Sequence, residues 1–122
     1  MTPTDDYYKS KWKNIVNVMK SQNLNVAKIA KAGSRARQQY TSNSDLDVIF
    51  SVSGNPNKQN FYPRLEKVLK DNFPNDQVSL GSDKNVVHLY PSKGGKLDIV
   101  LLDSNEFDKE HGDNVEYRRE NL

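Results

Sequence analysis

The strongest constraint on the fold is a pair of short apolar runs, each with a carboxylate near its head. Leu46 to Val52 reads Leu-Asp-Val-Ile-Phe-Ser-Val, and Lys96 to Leu102 reads Lys-Leu-Asp-Ile-Val-Leu-Leu. Both runs are too short for a helix of ordinary length and too continuously apolar for a strand that wets one face. They predict interior strands of a sheet that is covered on both sides. Polar Thr41-Ser42-Asn43-Ser44 leads into the first run and Gly54-Asn55-Pro56-Asn57 follows it, marking a loop and a turn.

The other elements can be read around these two. Tyr8, Trp12, Ile15, Val16 and Met19 recur at helical spacing, so an N-terminal helix with one buried face is expected over residues 1–22. Thr2-Pro3 would supply its cap and first position, and Asp5 and Asp6 suit its first turn. Asn23 and Asn25 mark the exit. Val26 to Ala32 alternates, with Val26, Lys28, Ala30 and Ala32 expected on one side and Ala27, Ile29 and Lys31 on the other. That strand should end at Gly33, with a short helical turn over 34–40. Phe61, Leu65, Val68, Leu69 and Phe73 predict a second amphipathic helix, with Pro63 in its first turn and Pro74 past its end. Gln77 to Leu80 and Val86 to Tyr90 read as two strands joined around residues 81–85. Gly94-Gly95 is a turn before the strand at Leu97. The tail over 104–122 is charged and weakly patterned, apart from a short helix expected near Asn105 to Glu110. The order of elements predicts one α+β domain over 1–122, with its core at about 25–103. Its mixed β-sheet would have about five strands, with helices mainly on one face.

Composition narrows the chemistry. Mean hydropathy is −0.88 and hydrophobic residues make up 34%, so no membrane segment is expected. The acidic N-terminus lacks the apolar stretch of a signal peptide, and a cytoplasmic location is the expectation. There are no cysteines and only two histidines. Thiolate sites are therefore excluded, and any metal should be a hard cation held by carboxylates. The net charge of +2 is small but unevenly spread. Lys9, Lys11, Lys13, Lys20, Lys28, Lys31, Arg35 and Arg37 lie in a stretch without an acid, which favours a polyanionic partner.

The candidate site follows from spacing. Gly33-Ser34 lies where a strand is expected to give way to a helical turn, a junction whose free N–H groups and hydroxyl suit phosphate oxygens. Asp45 and Asp47 are two apart at the head of a strand, so their carboxylates share a face. Like charges at that range repel, and a divalent cation removes the conflict. No lysine or arginine lies close by in sequence to pair with Asp47. Asp98 repeats the arrangement in the second buried run. If the two strands are neighbours, three carboxylates meet, enough for two Mg²⁺ ions and displacement at phosphorus, with Asp98 as the natural base or hydroxyl orienter. Taken singly, each piece has an ordinary structural explanation. It is the combination that points to chemistry.

Gly33-Ser34, ten intervening residues, Asp45-Leu46-Asp47 and a distal Leu97-Asp98-Ile99-Val100 resemble the nucleotidyltransferase superfamily of DNA polymerase β. The pattern is similar to the palm of CCA-adding enzymes, poly(A) polymerases and oligoadenylate-synthase-like enzymes. Gly33-Ser34-Arg35-Ala36-Arg37 with Ser44-Asp45-Leu46-Asp47 is also similar to minimal nucleotidyltransferases. The resemblance implies that Gly33 and Ser34 hold nucleotide phosphates, that Asp45 and Asp47 ligate both metals, and that Asp98 ligates the catalytic one. It implies NMP transfer from an NTP, with ATP favoured, to a hydroxyl acceptor with release of pyrophosphate. The cofactor would be two Mg²⁺ ions, with Mn²⁺ as the alternative. The acceptor would be RNA, another nucleotide or a protein hydroxyl.

Larger members carry a second helical domain over the cleft. A second domain, a subunit or a homo-oligomer is therefore expected to complete it. The alternative reading is a catalytically idle or partner-dependent nucleotide-binding module, such as an antitoxin-like subunit. Arg35 and Arg37 are candidates for reaching the triphosphate; Lys28, Lys31 and Lys84 are weaker ones. Tyr40, His88, His111 and Trp12 are given structural or solvated roles.

Overall fold

The computed structural model describes residues 5–32, 45–52, 57–82, 85–102, 105–107 and 118–120. Helix α1 spans Asp5–Ser21. Tyr8, Trp12, Ile15 and Met19, the expected stripe, are buried, and Val16 is packed at their edge. The helix ends at an asparagine. Asn23 has φ 63°, its N–H donates to the Lys20 carbonyl at 3.1 Å, and the Leu24 N–H donates back to Met19 at 2.8 Å. This pair of bonds satisfies carbonyls that the last turn would otherwise leave open, and buried Leu24 follows Met19 into the core.

The strands are β1 (Val26–Ala32), β2 (Leu46–Val52), β3 (Gln77–Leu80), β4 (Val87–Tyr90), β5 (Leu97–Leu102) and β6 (Arg118–Glu120). They form one sheet in the order β3-β4-β5-β2-β1-β6. β2 and β5 run parallel; every other pair is antiparallel. The two apolar runs thus lie side by side at the centre, as their composition required. A sixth strand is added to the five read from sequence, drawn from the charged tail and paired through Arg118, Arg119 and Glu120 with Lys31, Ala30 and Ile29.

Helix α2 spans Lys58–Asn72 and packs with α1 on one face of the sheet. It starts a turn before the expected place, because the Asn57 carbonyl accepts from Asn60 and Phe61 at 3.1 and 2.9 Å. Pro63 therefore sits inside the helix and has no N–H to offer the preceding turn. Between helices and sheet lie Leu46, Val48, Phe50 and Val52 of β2, Leu97, Ile99 and Leu101 of β5, and Val87 and Leu89 of β4. A bulge between Val26 and Lys28 alters the alternation expected in β1. It brings Val26 to the helix side with Ile29, where both meet the main core.

Among the described residues the opposite face is covered over one part only. There Ala30, Ile49 and Phe107 form a small cluster with Val100 and Leu102, Phe107 coming from a helical turn at 105–107. Among the described residues no helix is long and apolar enough to cross a membrane.

Candidate active site

The part of that face that no described residue covers carries the carboxylates. Asp47 pairs with Asp98 across the parallel β2–β5 ladder. Asp98 pairs with His88 across β5–β4, and His88 with Ser79 across β4–β3. On the other side Asp47 faces Ala32, the last residue of β1. A row of five residues thus crosses the sheet: Ser79, His88, Asp98, Asp47 and Ala32. Alternation puts all of them on the face away from α1 and α2. Asp45 and Lys96 each precede the Leu46–Leu97 pair, so they lie next to one another and one step along from Asp47 and Asp98.

The electrostatics are those of crowded acids. The carboxyl of Asp47 is pushed up from 3.8 to about 6. Burial is the main cause, followed by the charge of Asp98, a hydrogen bond to Asp98 and the charge of Asp45; Lys96 opposes the rise. Lys96 supplies the counter-charge that no nearby residue in sequence promised. Its Nζ lies 3.4 Å from Asp98 Oδ1 and 4.0 Å from Asp45 Oδ2. Burial works against its charge, but Asp98, Tyr90 and Asp45 outweigh that and hold its pKa above the ordinary value. His88 Nδ1 is 2.6 Å from Asp98 Oδ1. With its proton on Nδ1, the imidazole donates to the carboxylate and fixes its orientation.

The backbone at Lys96 is held from behind the sheet. Its N–H donates to the hydroxyl of buried Tyr8 on α1 at 3.1 Å, and its carbonyl accepts from Leu46 N–H at 3.0 Å. Gly94 and Gly95, at φ 112° and 88°, make the turn before it, where Tyr7 donates to the Gly94 carbonyl at 2.6 Å. Positive φ at both positions favours glycine.

Of the residues expected to form the site, Asp45, Asp47 and Asp98 are brought together. Gly33, Ser34, Arg35 and Arg37 lie outside the described residues, as do the turn over 34–40, Tyr40, Lys84 and His111. Gly33 is the residue next to Ala32, whose partner is Asp47. Lys28 lies toward Phe107, its Nζ 5.9 Å from that ring. His88 and Lys96 were missed as site residues. A signal existed for Lys96, which is two residues from Asp98 and so shares its face. His88 could be found only from the β4–β5 register.

Among the described residues no three acidic or imidazole side chains stand grouped so that they could by themselves hold a metal ion, and the Lys96 ammonium lies against two of the acids. The donor set nevertheless fits a hard divalent cation. Its ligands are oxygens, and Asp47 is destabilised by the like charges that such an ion would neutralise.

The chain belongs to the nucleotidyltransferase domain family, whose family model matches residues 12–119. This is the DNA polymerase β-type superfamily that the aspartate pattern resembles. No curated protein matches the chain. Among solved structures it is similar to a CD-NTase, CdnG, from Bradyrhizobium diazoefficiens in complex with GTP, at 21% identity and TM-score 0.61, with 75% of this chain and 30% of that one covered. Terminal uridylyl transferase 4 from Trypanosoma brucei with bound GTP is 14% identical at TM-score 0.59, covering 77% and 29%. A CCA-adding enzyme in complex with ATP is 14% identical at TM-score 0.54, covering 88% and 24%. The chain thus spans 24–30% of the length of these neighbours, and at these identities the likeness is one of fold.

Proposed function

We propose that the chain is the catalytic domain of a Mg²⁺-dependent nucleotidyltransferase that moves NMP from an NTP, ATP by preference, to an acceptor hydroxyl. The observation that carries this reading is the in-register pair of Asp47 and Asp98 on parallel central strands, with Asp47 pushed up to about 6 by burial and its acidic neighbours. Membership of the family and nucleotide-bound neighbours support it.

In this mechanism Asp45 and Asp47 would hold two Mg²⁺ ions, with Asp98 on the catalytic one, and the ions would supply charge neutralisation for the triphosphate and a more acidic acceptor hydroxyl. Asp98, oriented by His88 and Lys96, takes the proton of the acceptor hydroxyl. The acceptor oxygen bonds to the α-phosphorus, the bond from that phosphorus to the bridging oxygen of the β-phosphate breaks, and pyrophosphate leaves. Gly33, Ser34, Arg35 and Arg37 are assigned to the phosphates. Asp47→Asn and Asp98→Asn should each abolish metal-dependent release of pyrophosphate while leaving the circular dichroism spectrum unchanged. Full activity in both variants sinks the mechanism.

One observation favours a second reading, an idle or partner-dependent nucleotide-binding module: Lys96 occupies the charge position between Asp45 and Asp98. Calorimetry with ATP and Mg²⁺ beside a pyrophosphate-release assay separates the two readings. Binding without turnover on RNA, nucleotide or protein acceptors favours the second.

A further inference from the structure

The transferase reading gives Tyr90 no part in holding phosphates or metal, yet it stands on the face that is open among the described residues. It is 40% exposed, and it is the only large hydrophobic side chain so exposed among the described residues. It is two residues from His88 on β4, so the two side chains share that face. Lys96 Nζ lies 5.6 Å from the centre of its ring. The same cation therefore touches the aromatic ring and both Asp45 and Asp98.

The order of the strands gives this ring a position relative to the reaction. Running across the face, Ala32 faces Asp47, Asp47 faces Asp98, and Asp98 faces His88. Gly33-Ser34, assigned to the phosphates in the transferase reading, follows Ala32 in the chain, and Ala32 is paired with Asp47; on that reading the triphosphate belongs to the β1 side of the aspartates. In an in-line displacement the attacking and leaving oxygens lie on opposite sides of phosphorus. The acceptor hydroxyl therefore comes from the β4 side, past Asp98, and the remainder of the acceptor lies over β3 and β4. Among the described residues the surface there is polar apart from Tyr90: Gln77 and Ser79 are exposed and pair with Tyr90 and His88. The stretch of the same face around Ala30 and Ile49 is closed by Phe107.

We infer that the β4 side of the aspartate pair is the acceptor subsite, and that Tyr90 stacks on the base of a nucleoside whose hydroxyl is the nucleophile. The inference rests on the transferase reading above and names its substrate class. A flat aromatic surface with a cation beside it suits a nucleobase attached to an anionic backbone. A serine or threonine hydroxyl of a protein brings no base to stack. An RNA 3′ end and a free nucleotide offer the same chemistry.

The test is binding, measured without NTP on the full chain. A 5′-fluorescein-labelled ribo-oligonucleotide with a free 3′ end is followed by anisotropy, and AMP is added as competitor. Tyr90→Ala should weaken oligonucleotide binding about 5- to 150-fold, while Tyr90→Phe keeps it. Tyr90 is exposed, so neither change should alter the thermal melt. Displacement by AMP identifies a free nucleotide as an acceptor; failure of AMP to displace identifies an RNA end. Wild-type affinity in Tyr90→Ala, or no binding of either probe to the wild-type chain, overturns the subsite. Transfer assays keep the two claims apart. Tyr90-dependent binding without transfer to any acceptor retains the subsite and refutes the transferase. Transfer to a protein hydroxyl at full rate in Tyr90→Ala does the reverse.

Discussion

Asp47→Asn should make the metal-free protein more stable at the same time as it removes activity. The carboxyl of Asp47 is raised from 3.8 to about 6 in the folded chain, by burial first and then by Asp98 and Asp45. At about 1.4 kcal/mol for each pH unit, that rise is a penalty of at most about 3 kcal/mol on the charged form. Asp47 is only partly buried, and solvent screening reduces the figure to about 1–2 kcal/mol. Because the folded pKa lies above the unfolded one, the stabilising protonated form dominates at low pH. Stability is lost as pH rises from about 4 through 6, and the full penalty applies above that. Asparagine carries no charge and presents an N–H to Asp98 where protonated Asp47 presents an O–H. At pH 8 in EDTA the variant should therefore melt about 3–10 °C above wild type. The gap should shrink steadily as the pH is lowered toward 4. Thermal melts by circular dichroism at several pH values measure it. A variant that is equally or less stable at pH 8, or a gap independent of pH, refutes the account of the site as a set of crowded acids.

Other outcomes follow from the same geometry. Mg²⁺ should raise the melting temperature of the wild type at pH 8 and have a much smaller effect on Asp47→Asn, because the ion relieves the repulsion that the substitution has already removed; equal shifts in the two proteins would count against Asp47 as a ligand. His88→Ala should lower kcat about 10- to 100-fold with little change in the KM for the NTP, and His88→Asn should recover part of the loss, since its role is to orient Asp98. Unchanged kcat in His88→Ala would remove it from the mechanism. Tyr62→Phe should cost about 1–3 kcal/mol in urea unfolding, because the Leu101 N–H donates to that buried hydroxyl at 2.7 Å and would be left without a partner.

The elements that were legible in the sequence are those whose side chains carry the periodicity. Tyr8, Trp12, Ile15 and Met19 announce α1, and the two apolar runs announce the central parallel pair. The bulge in β1 was hidden, because small and charged side chains fit either face of a strand and only backbone pairing decides between them. β6 was hidden for a related reason. Arg118, Arg119 and Glu120 have no apolar alternation, and the strand is held by main-chain bonds at an edge, where charge is the usual protection against further pairing. Pro63 was misplaced because the start of α2 is fixed by the Asn57 carbonyl, a backbone event that side-chain pattern does not record. Within the site, Asp45, Asp47 and Asp98 were visible as charges set into apolar strands. His88 was not, because its neighbour Leu89 and partner Asp98 become informative only once the hairpin register is known.

Tyr8 lies behind the sheet, on the face away from the aspartates, and its hydroxyl accepts the N–H of Lys96 from 88 positions away in the chain. The first helix is therefore a brace for the far side of the molecule. During synthesis this one bond has to wait until the segment that leads into the last central strand has emerged. In the finished protein, loosening α1 would let the Lys96 ammonium drift from Asp45 and Asp98 without any reacting group being touched. Changes near the N-terminus can in this way act as a control on the charge balance of the site, and the reverse holds too: an ion drawn in among the aspartates would tighten the seat of a helix it never meets.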